Sequence, residues 1–265
     1  MAQTYNPAAR RTRRADPIAG LRVAITGGTS GLGLALVREF VVRGARVAFV
    51  ARDRARVERI ATATGAFGIV GDVAGKEDIH PIAMQVVGLL GGLDLLINNA
   101  SSLGSVPLRP LGDTDCEDLE LALATNLVGP FRLTKALLGA LAASAREGRG
   151  AVVLNVSSDA AINAYPGWGA YGVSKAALHH LSRIWQEEFA TQGVRFLSLD
   201  PGDMDTPLHA LAVPDADRAT LKRPETAARE LIAAATVALA GRSGRQRSRD
   251  GGGADAGVEV AAASG

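Results

Sequence analysis

The sequence has few of the features that mark disulfide-bonded, membrane or nucleic-acid-binding proteins. Its 265 residues include one cysteine, Cys116, so no internal disulfide can form, and this usage is typical of a reducing, cytoplasmic compartment. No apolar run approaches the roughly 20 residues that span a membrane. A formal net charge of +2 is too small to indicate a nucleic-acid partner. These absences predict a soluble cytoplasmic protein that uses neither a membrane nor a nucleic acid.

The composition between the two ends suits one folded domain, because 47% of the chain is hydrophobic and 21% is charged. Residues 1–18 carry four arginines between positions 10 and 14 but no apolar segment, so they are not a secretory signal. We expect a disordered arm there, with contact to an acidic partner as the alternative. Residues 241–265 are rich in Gly, Arg and Ser, and we expect a mostly disordered tail. The predicted domain is 19–240.

Short apolar runs alternate with amphipathic segments from residue 21 onward, and this alternation predicts repeated βαβ units. A long helix is expected from about Thr114 to Ala143. The resulting fold class is α/β: a Rossmann-type, doubly wound parallel sheet in three layers, with a doubtful last strand at "GVEV" in the tail. Ligands on such sheets lie beyond the carboxyl ends of the strands. Six strands are predicted, at "LRVAIT", "ARVAFVA", "AFGIV", "LDLLIN", "AVVLNVS" and "VRFLSLD".

The stretch "TGGTSGLG", Thr26 to Gly33, separates the first predicted strand from the first helix. Gly27 permits a tight turn, Gly31 allows a close approach of backbone to a pyrophosphate, and Gly33 allows the helix to pack on the strand. The helix N-terminus offers free N–H groups to a phosphate. Glycine alone is common in such turns, but the strand-turn-helix setting indicates nucleotide binding.

The stretch "AYGVSK" places Tyr171 and Lys175 four residues apart, on one face of a helix. This spacing also arises by chance on surface helices. A functional interpretation follows from chemistry, since a free phenol has a pKa of about 10 and is a poor base at neutral pH. A nearby ammonium and a helix N-terminus would both lower that value. The pair would suit a tyrosine that exchanges a proton with a substrate, but these six residues do not decide between that role and a chance spacing.

These motifs together resemble the short-chain dehydrogenase/reductase superfamily, over about Leu21 to Pro207. The G-x-x-x-G-x-G spacing, "NNA" at 98–100, "YxxxK" and a Pro-Gly after the sixth strand occur in the family's order. Ser101 stands where the family usually has glycine. The resemblance implies a catalytic set in which Ser158 matches the serine position better than its neighbour Ser157. That set is Asn126, Ser158, Tyr171 and Lys175.

The family's chemistry implies hydride transfer between a nicotinamide cofactor and a carbonyl carbon, with Tyr171 exchanging the proton on the oxygen. Ser158 would hold that oxygen, and Lys175 would also touch the nicotinamide ribose. Asn126 would help to hold a water beside the lysine; the alternative is a solvent-facing polar residue. The implied cofactor-binding residues are Thr26, Gly27, Thr29, Ser30, Gly31, Leu32, Gly33, Asp72, Val73, Asn99, Ala100, Tyr171, Lys175, Pro201, Gly202 and Thr206.

The end of the second strand, "VAFVARDR", bears on the choice of cofactor. Ala51 occupies the position where NAD-binding folds tend to carry an acidic residue, and Arg52 follows it. A guanidinium can bind a 2′-phosphate through two hydrogen bonds, so Arg52 favours NADP(H). Asp53 is read as the N-cap of the next helix, although it leaves NAD(H) possible.

The remaining polar residues predict little further chemistry. Adjacent His179 and His180 point apart on a helix, and no zinc-ligand spacing occurs, so no metal is expected. Asp203 is predicted to cap the helix after the sixth strand.

The expected function is an NADP(H)-dependent oxidoreductase that interconverts a small-molecule carbonyl and a secondary alcohol. The alternatives are an NAD-dependent alcohol dehydrogenase of the same family and a non-catalytic NADP(H)-sensing protein. The resemblance implies a homodimer or homotetramer that pairs through the two long helices.

Overall fold

A computed structural model describes residues 16–241 of the chain, and it contains a six-stranded, all-parallel sheet in the order β3-β2-β1-β4-β5-β6. All six predicted strands are confirmed, as is the Rossmann-type α/β class. The predicted seventh strand at "GVEV" lies outside the described residues. The strands are β1 Arg22–Thr26, β2 Arg46–Ala51, β3 Phe67–Val70, β4 Leu95–Asn98, β5 Ala151–Val156 and β6 Val194–Leu199.

Helices cover both faces of the sheet, which gives the expected three layers. Helix α6 carries the predicted Tyr–Lys pair, and α1 follows the glycine turn directly. The helices are α1 Gly31–Val42, α2 Arg54–Thr64, α3 Ile79–Leu90, α4 Cys116–Leu123, α5 Gly129–Arg146, α6 Gly169–Phe189, α7 Pro207–Ala212 and α8 Pro224–Ala240.

Alternate residues of each strand enter two separate cores, because successive side chains point to opposite faces. On β1, Val23 and Ile25 join α1, α2 and α8 in one core. Ala24 and its counterparts on β2 and β5 face α3, α5 and the buried Trp185 of α6 in the other. Burial on both faces explains why the strands are nearly continuous apolar runs. The sheet edge at the strands' carboxyl ends remains available for polar residues.

The expected long helix at 114–143 is interrupted. It begins at Cys116 and ends at Arg146, and a π-helical turn at Ala124–Val128 separates α4 from α5. π-Helical turns inside helices are rare and occur often at functional sites. This turn contains Asn126, one of the predicted catalytic residues.

The ordered domain also begins earlier than residue 19. Ile18 is 1% exposed in the first core, and its N–H donates to the side chain of Asp16. Asp16 in turn pairs with Arg43, with 2.9 Å between the carboxylate and Nε. Residues 16–18 therefore belong to the folded unit rather than to a disordered arm. Residues 1–15 and 242–265 lie outside the described part.

Candidate functional site

A cleft of about 1160 Å³ lies at the carboxyl ends of the strands, where the fold predicts ligand binding. It brings together nearly all the predicted site residues from separate parts of the chain. Thr26 and Asn126 are the two that do not line it. The predicted residues on its wall are Gly27, Thr29, Ser30, Gly31, Leu32, Gly33, Arg52, Asp72, Val73, Asn99, Ala100, Ser158, Tyr171, Lys175, Pro201, Gly202 and Thr206.

The glycine turn packs too closely for side chains at two positions. Gly27 has φ +72°, and a Cβ there would lie 2.9 Å from Asn99 Nδ2. A Cβ on Gly33 would collide with the carbonyl oxygen of Gly27. Because both positions exclude larger residues, the turn leaves backbone and the N-terminus of α1 exposed to the cleft, a suitable setting for a phosphate.

Thr26 does not line the cleft, and its buried side chain stabilises the turn from the protein interior. Its side chain is 3% exposed, and Oγ1 accepts hydrogen bonds of 3.0 Å from the N–H groups of both Asn99 and Ala100. Thr26 is the last residue of β1, so its side chain reaches the chain leaving the neighbouring β4. The Thr26 side chain therefore fixes the Asn99–Ala100 backbone, and its contact with a cofactor stays a prediction.

Arg52 is positioned at the end of β2 as predicted, with its side chain largely exposed and Nη1 3.9 Å from Asp72 Oδ2. Asp53 caps α2, because its Oδ1 accepts a 3.0 Å hydrogen bond from Arg56 N–H. Arg56, in the first turn of α2, also lines the cleft. This second arginine was missed, although its place shortly after Arg52 and the end of β2 could have indicated it.

Lys175 and Tyr171 are both buried on α6. Lys175 Nζ donates a 2.8 Å hydrogen bond to the carbonyl of Val156 at the end of β5, and it lies 5.5 Å from the Tyr171 ring centroid. Burial lowers the pKa of Lys175 to about 8. Burial likewise raises the pKa of Tyr171 to about 12, with Asp200 adding to the rise. The expected lowering of the phenol pKa is thus reversed, because burial and the nearby carboxylates outweigh the hydrogen bonds from Ser158 and Ser101.

Ser158 lies at the end of β5, close enough to Tyr171 to oppose that rise in pKa. Its hydroxyl donates to Asp159 Oδ1 at 3.0 Å and accepts from Ala160 N–H at 3.2 Å. The other oxygen of Asp159 accepts a 2.7 Å hydrogen bond from the Tyr165 hydroxyl. Asp159 and Tyr165 both line the cleft and were missed, since nothing in their spacing links them to Ser158.

Asn126 is fully buried and has all its amide interactions satisfied, which rules out a solvent-facing role. Its Oδ1 accepts from Ser102 N–H at 2.8 Å, and its Nδ2 donates to the Ser102 carbonyl and to Ser174 Oγ. The side chain therefore joins the loop after β4 to α6. In this structure Asn126 positions the cleft wall and does not form it.

Thr206, and not Asp203, caps α7, because Thr206 Oγ1 accepts a 3.2 Å hydrogen bond from His209 N–H. The predicted cap Asp203 has an exposed side chain 3.8 Å from His209 Nε2. The cap falls at Thr206 because Pro207 begins the helix, and its preset φ suits the first helical position. Thr206 also packs against Gly31, which brings α7 over the glycine turn.

Two features of the described residues limit the chemistry. No group of three or more His, Cys, Asp or Glu within 16–241 is arranged to hold a metal ion. In the same residues, no helix combines the length and hydropathy needed to cross a bilayer. The cleft instead combines a glycine turn suited to a phosphate, two arginines, and the half-buried Ser158 hydroxyl beside the buried Tyr171 and Lys175. This arrangement can hold a dinucleotide and exchange a proton with a small molecule.

Comparison with known families agrees with this geometry. The short chain dehydrogenase family model matches residues 22–217, which is more than half of the chain. An uncharacterized oxidoreductase of Thermotoga maritima is 37% identical over 188 residues, covering 69% of this chain and 71% of the relative. The 2-(R)-hydroxypropyl-CoM dehydrogenase of Xanthobacter autotrophicus is 32% identical over 194 residues, covering 71% and 76%.

Solved structures show the same fold. The 3-ketoacyl-(acyl-carrier-protein) reductase of Brucella melitensis, complexed with NADH, superposes with a TM-score of 0.76 at 26% identity, covering 86% of this chain and 94% of that one. A Shigella flexneri protein assigned to the short chain dehydrogenases, complexed with NADP, gives a TM-score of 0.75 at 23% identity, covering 85% and 93%. The chain is an oxidoreductase by class. It belongs to the short-chain dehydrogenase/reductase family.

Proposed function

We propose that this protein is an NADP(H)-dependent oxidoreductase that interconverts a carbonyl and a secondary alcohol. The observation that carries the proposal is the single cleft into which the glycine turn, Arg52 and the Ser158–Tyr171–Lys175 group all open. One end of that cleft suits a dinucleotide, and the other holds the groups that proton transfer requires. Both ends lie within one continuous space, so a cofactor and a substrate can meet there.

The residues at the turn fit a nicotinamide dinucleotide. Gly27 and Gly33 pack against each other and against Asn99 too closely for side chains, and α1 begins at that turn. The Brucella melitensis reductase, which has the same fold, was solved with NADH. Arg52 and Arg56 favour the phosphorylated form, because two guanidinium groups near the end of β2 suit a 2′-phosphate.

The nicotinamide supplies or accepts the hydride, and the chain supplies everything else. In reduction, Tyr171 donates its proton to the carbonyl oxygen; a pKa of about 12 keeps it protonated at neutral pH. Ser158 lies beside the phenol and positions the same oxygen. Lys175 is held by the Val156 carbonyl, where its ammonium would bind the nicotinamide ribose. Asn126 supports this wall through Ser102.

Cofactor titration tests the proposal, with NADPH and NADH followed by quenching of Trp168, which lines the cleft. We expect NADPH to bind more tightly, and Arg52→Ala to weaken NADPH binding by about 10- to 100-fold, the value of charge-assisted hydrogen bonds. Arg54→Ala is the matched control, because Arg54 is two residues from Arg52 at the start of α2, pairs with Glu58 and is outside the cleft.

Three outcomes of the titration have different meanings. Equal loss of NADPH binding in Arg52→Ala and Arg54→Ala would show that Arg52 acts only as a surface charge and not as a specific ligand of the 2′-phosphate. Tighter binding of NADH would make Asp53 the ribose ligand and the protein an NAD-dependent alcohol dehydrogenase. Binding of neither cofactor would overturn the proposal. Where NADPH binds, a screen of β-keto esters, aromatic aldehydes and cyclic ketones for NADPH oxidation identifies a working substrate.

The surfaces of α5 and α6 support a homo-oligomer. Both helices bury one face against the sheet, yet Phe131, Val173 and Ile184 keep 39%, 50% and 43% of their surface exposed. Large apolar residues on a second helix face are typical of an interface between subunits. We propose a homodimer or homotetramer through these helices, to be checked by sedimentation. A cytoplasmic location stays a prediction from the single cysteine.

A further inference from the structure

The loop after β4 places an additional hydroxyl beside the proposed proton donor. Ser101 directly follows Asn99 and Ala100 and lines the same cleft as Tyr171. The resembling family usually has glycine at this position, and glycine carries no hydrogen-bonding side chain. The substitution therefore introduces a donor where the family's motif has none.

The Ser101 hydroxyl has no hydrogen-bond partner among residues 16–241, although its oxygen is buried. Buried hydroxyls in folded proteins are nearly always paired, so an unpaired one needs an explanation. Ser101 lies close to the Tyr171 phenol and favours its ionised form, without forming a well-aligned hydrogen bond to it. Its hydrogen is available to an oxygen that enters the cleft next to Tyr171.

The hydroxyl of Ser158, unlike that of Ser101, already has hydrogen-bond partners. A serine has one hydrogen to donate, and that of Ser158 is directed to Asp159 Oδ1 at 3.0 Å. Asp159 is held in turn by Tyr165 at 2.7 Å. Both serines favour the ionised form of Tyr171. The hydrogen of Ser158 is shared with Asp159, whereas that of Ser101 has no other partner among residues 16–241.

We propose that Ser101 donates a hydrogen bond to the oxygen that exchanges its proton with Tyr171, and so acts as a second catalytic serine. The inference rests on the proposed carbonyl reduction. In the reductive direction the Ser101 hydroxyl stabilises the negative charge that develops on the carbonyl oxygen before the phenol protonates it. Other charged groups near the phenol are Lys175, Asp159 and Asp200. None of these is changed in the test.

The first test is kinetic and uses the ketone or aldehyde that wild type reduces fastest in the screen. Ser101→Ala and Ser101→Gly should each lower kcat by about 10²- to 10³-fold, with little change in KM, as for other donors to a developing oxyanion. Ser105→Ala is the matched control, since Ser105 is buried in the same loop but lies outside the cleft. It should stay within about twofold of wild type.

The second test needs no turnover. Tyrosine labelled with ¹³C at Cζ gives three signals, from Tyr5, Tyr165 and Tyr171, which single Tyr→Phe variants assign. We expect ionisation of Tyr171 to begin at higher pH in both Ser101 variants, because a donor to the phenolate is lost. The Ser105→Ala spectrum should match wild type.

The two tests separate the possible failures. Unchanged kcat and an unchanged Tyr171 signal in the Ser101 variants would overturn the proposal for Ser101, as would a loss of kcat without the spectral change. If wild type binds no cofactor or reduces nothing, the proposed function fails instead. The Tyr171 signal then tests whether the Ser101 hydroxyl lies beside the phenol, and an unchanged signal overturns the proposal without any turnover.

Discussion

A buried charged side chain lies at each end of the parallel sheet, and the two side chains differ in the number of polar partners that they have. At the amino end, directly before β4, the fully buried carboxylate of Asp94 is contacted by Arg22 at 2.6 Å, by Arg149 at 2.9 Å and by the hydroxyl of Ser144. At the carboxyl end, Lys175 is equally buried, but its ammonium has one hydrogen bond among the described residues, to the Val156 carbonyl.

The pKa values follow this difference. Burial alone would raise the pKa of Asp94, yet the hydrogen bonds from Arg149, Arg22 and Ser144 lower it to about 2. No comparable set of partners offsets burial at Lys175, and its pKa falls to about 8. The amino end therefore stabilises the fold, whereas the carboxyl end retains unsatisfied polar groups that a ligand can use. Such sites commonly cost stability.

Removing the charge at the amino end should have the largest effect on stability. Asp94→Asn leaves Arg22, whose side chain is mostly buried, and Arg149 with only the partly exposed Glu147 as counter-charge, so we expect a loss of about 3–5 kcal/mol in the free energy of unfolding. Urea denaturation measures it. The folded fraction should bind NADPH as wild type does, because the two ends lie on opposite edges of the sheet. A loss below 1 kcal/mol would show that the cluster is not stabilising.

Removing the charge at the carboxyl end should act in the opposite direction. Lys175→Met replaces a buried ammonium by an apolar group of similar size, and we expect a gain of about 2–3 kcal/mol at pH 7. Wild-type stability should rise between pH 8 and about 10.5, because the unfolded chain still binds the proton that native Lys175 has released. The variant should lack this rise. Destabilisation by Lys175→Met would contradict the conclusion that the buried ammonium lowers the stability of the fold.

Acid should remove the contribution of Asp94 in a defined range. Because the native pKa of about 2 lies below the ordinary value of about 3.9, the stabilisation is complete above pH 4 and is lost as the pH falls toward 2. On acidification, Asp94→Asn should therefore lose about 2 kcal/mol less of its free energy of unfolding than wild type loses. Thermal unfolding of both proteins between pH 5 and 2 checks it; parallel curves would argue against the assignment.

Local patterns in the sequence predicted most of the fold. The six strands were recognisable because burial on both faces makes each a short apolar run, and the glycine turn because Gly27 and Gly33 leave no room for a Cβ. Most of the cleft residues followed from the resemblance of the motifs after those strands to the short-chain dehydrogenase/reductase family. Each of these features depends on a few consecutive residues.

Features that depend on distant contacts were not predictable in this way. The π turn around Asn126 occupies only Ala124–Val128 between two helices that continue without a break, so 114–143 looked like one regular helix. The raised pKa of Tyr171 comes from burial by the assembled fold, which no spacing encodes. The cap at Thr206 in place of Asp203, and the Ser158–Asp159–Tyr165 contact, depend on how loops turn.

The most direct test of the account compares wild type with Tyr171→Phe for NADPH binding and for NADPH oxidation in the presence of a screened carbonyl. Because the phenol hydroxyl supplies the proton, we expect binding within about twofold and turnover lower by about 10²- to 10⁴-fold. Tyr171→Phe that still turns over at the wild-type rate would contradict the proposed mechanism. Wild type that binds NADPH but reduces no carbonyl would indicate a cofactor-sensing protein instead of an enzyme.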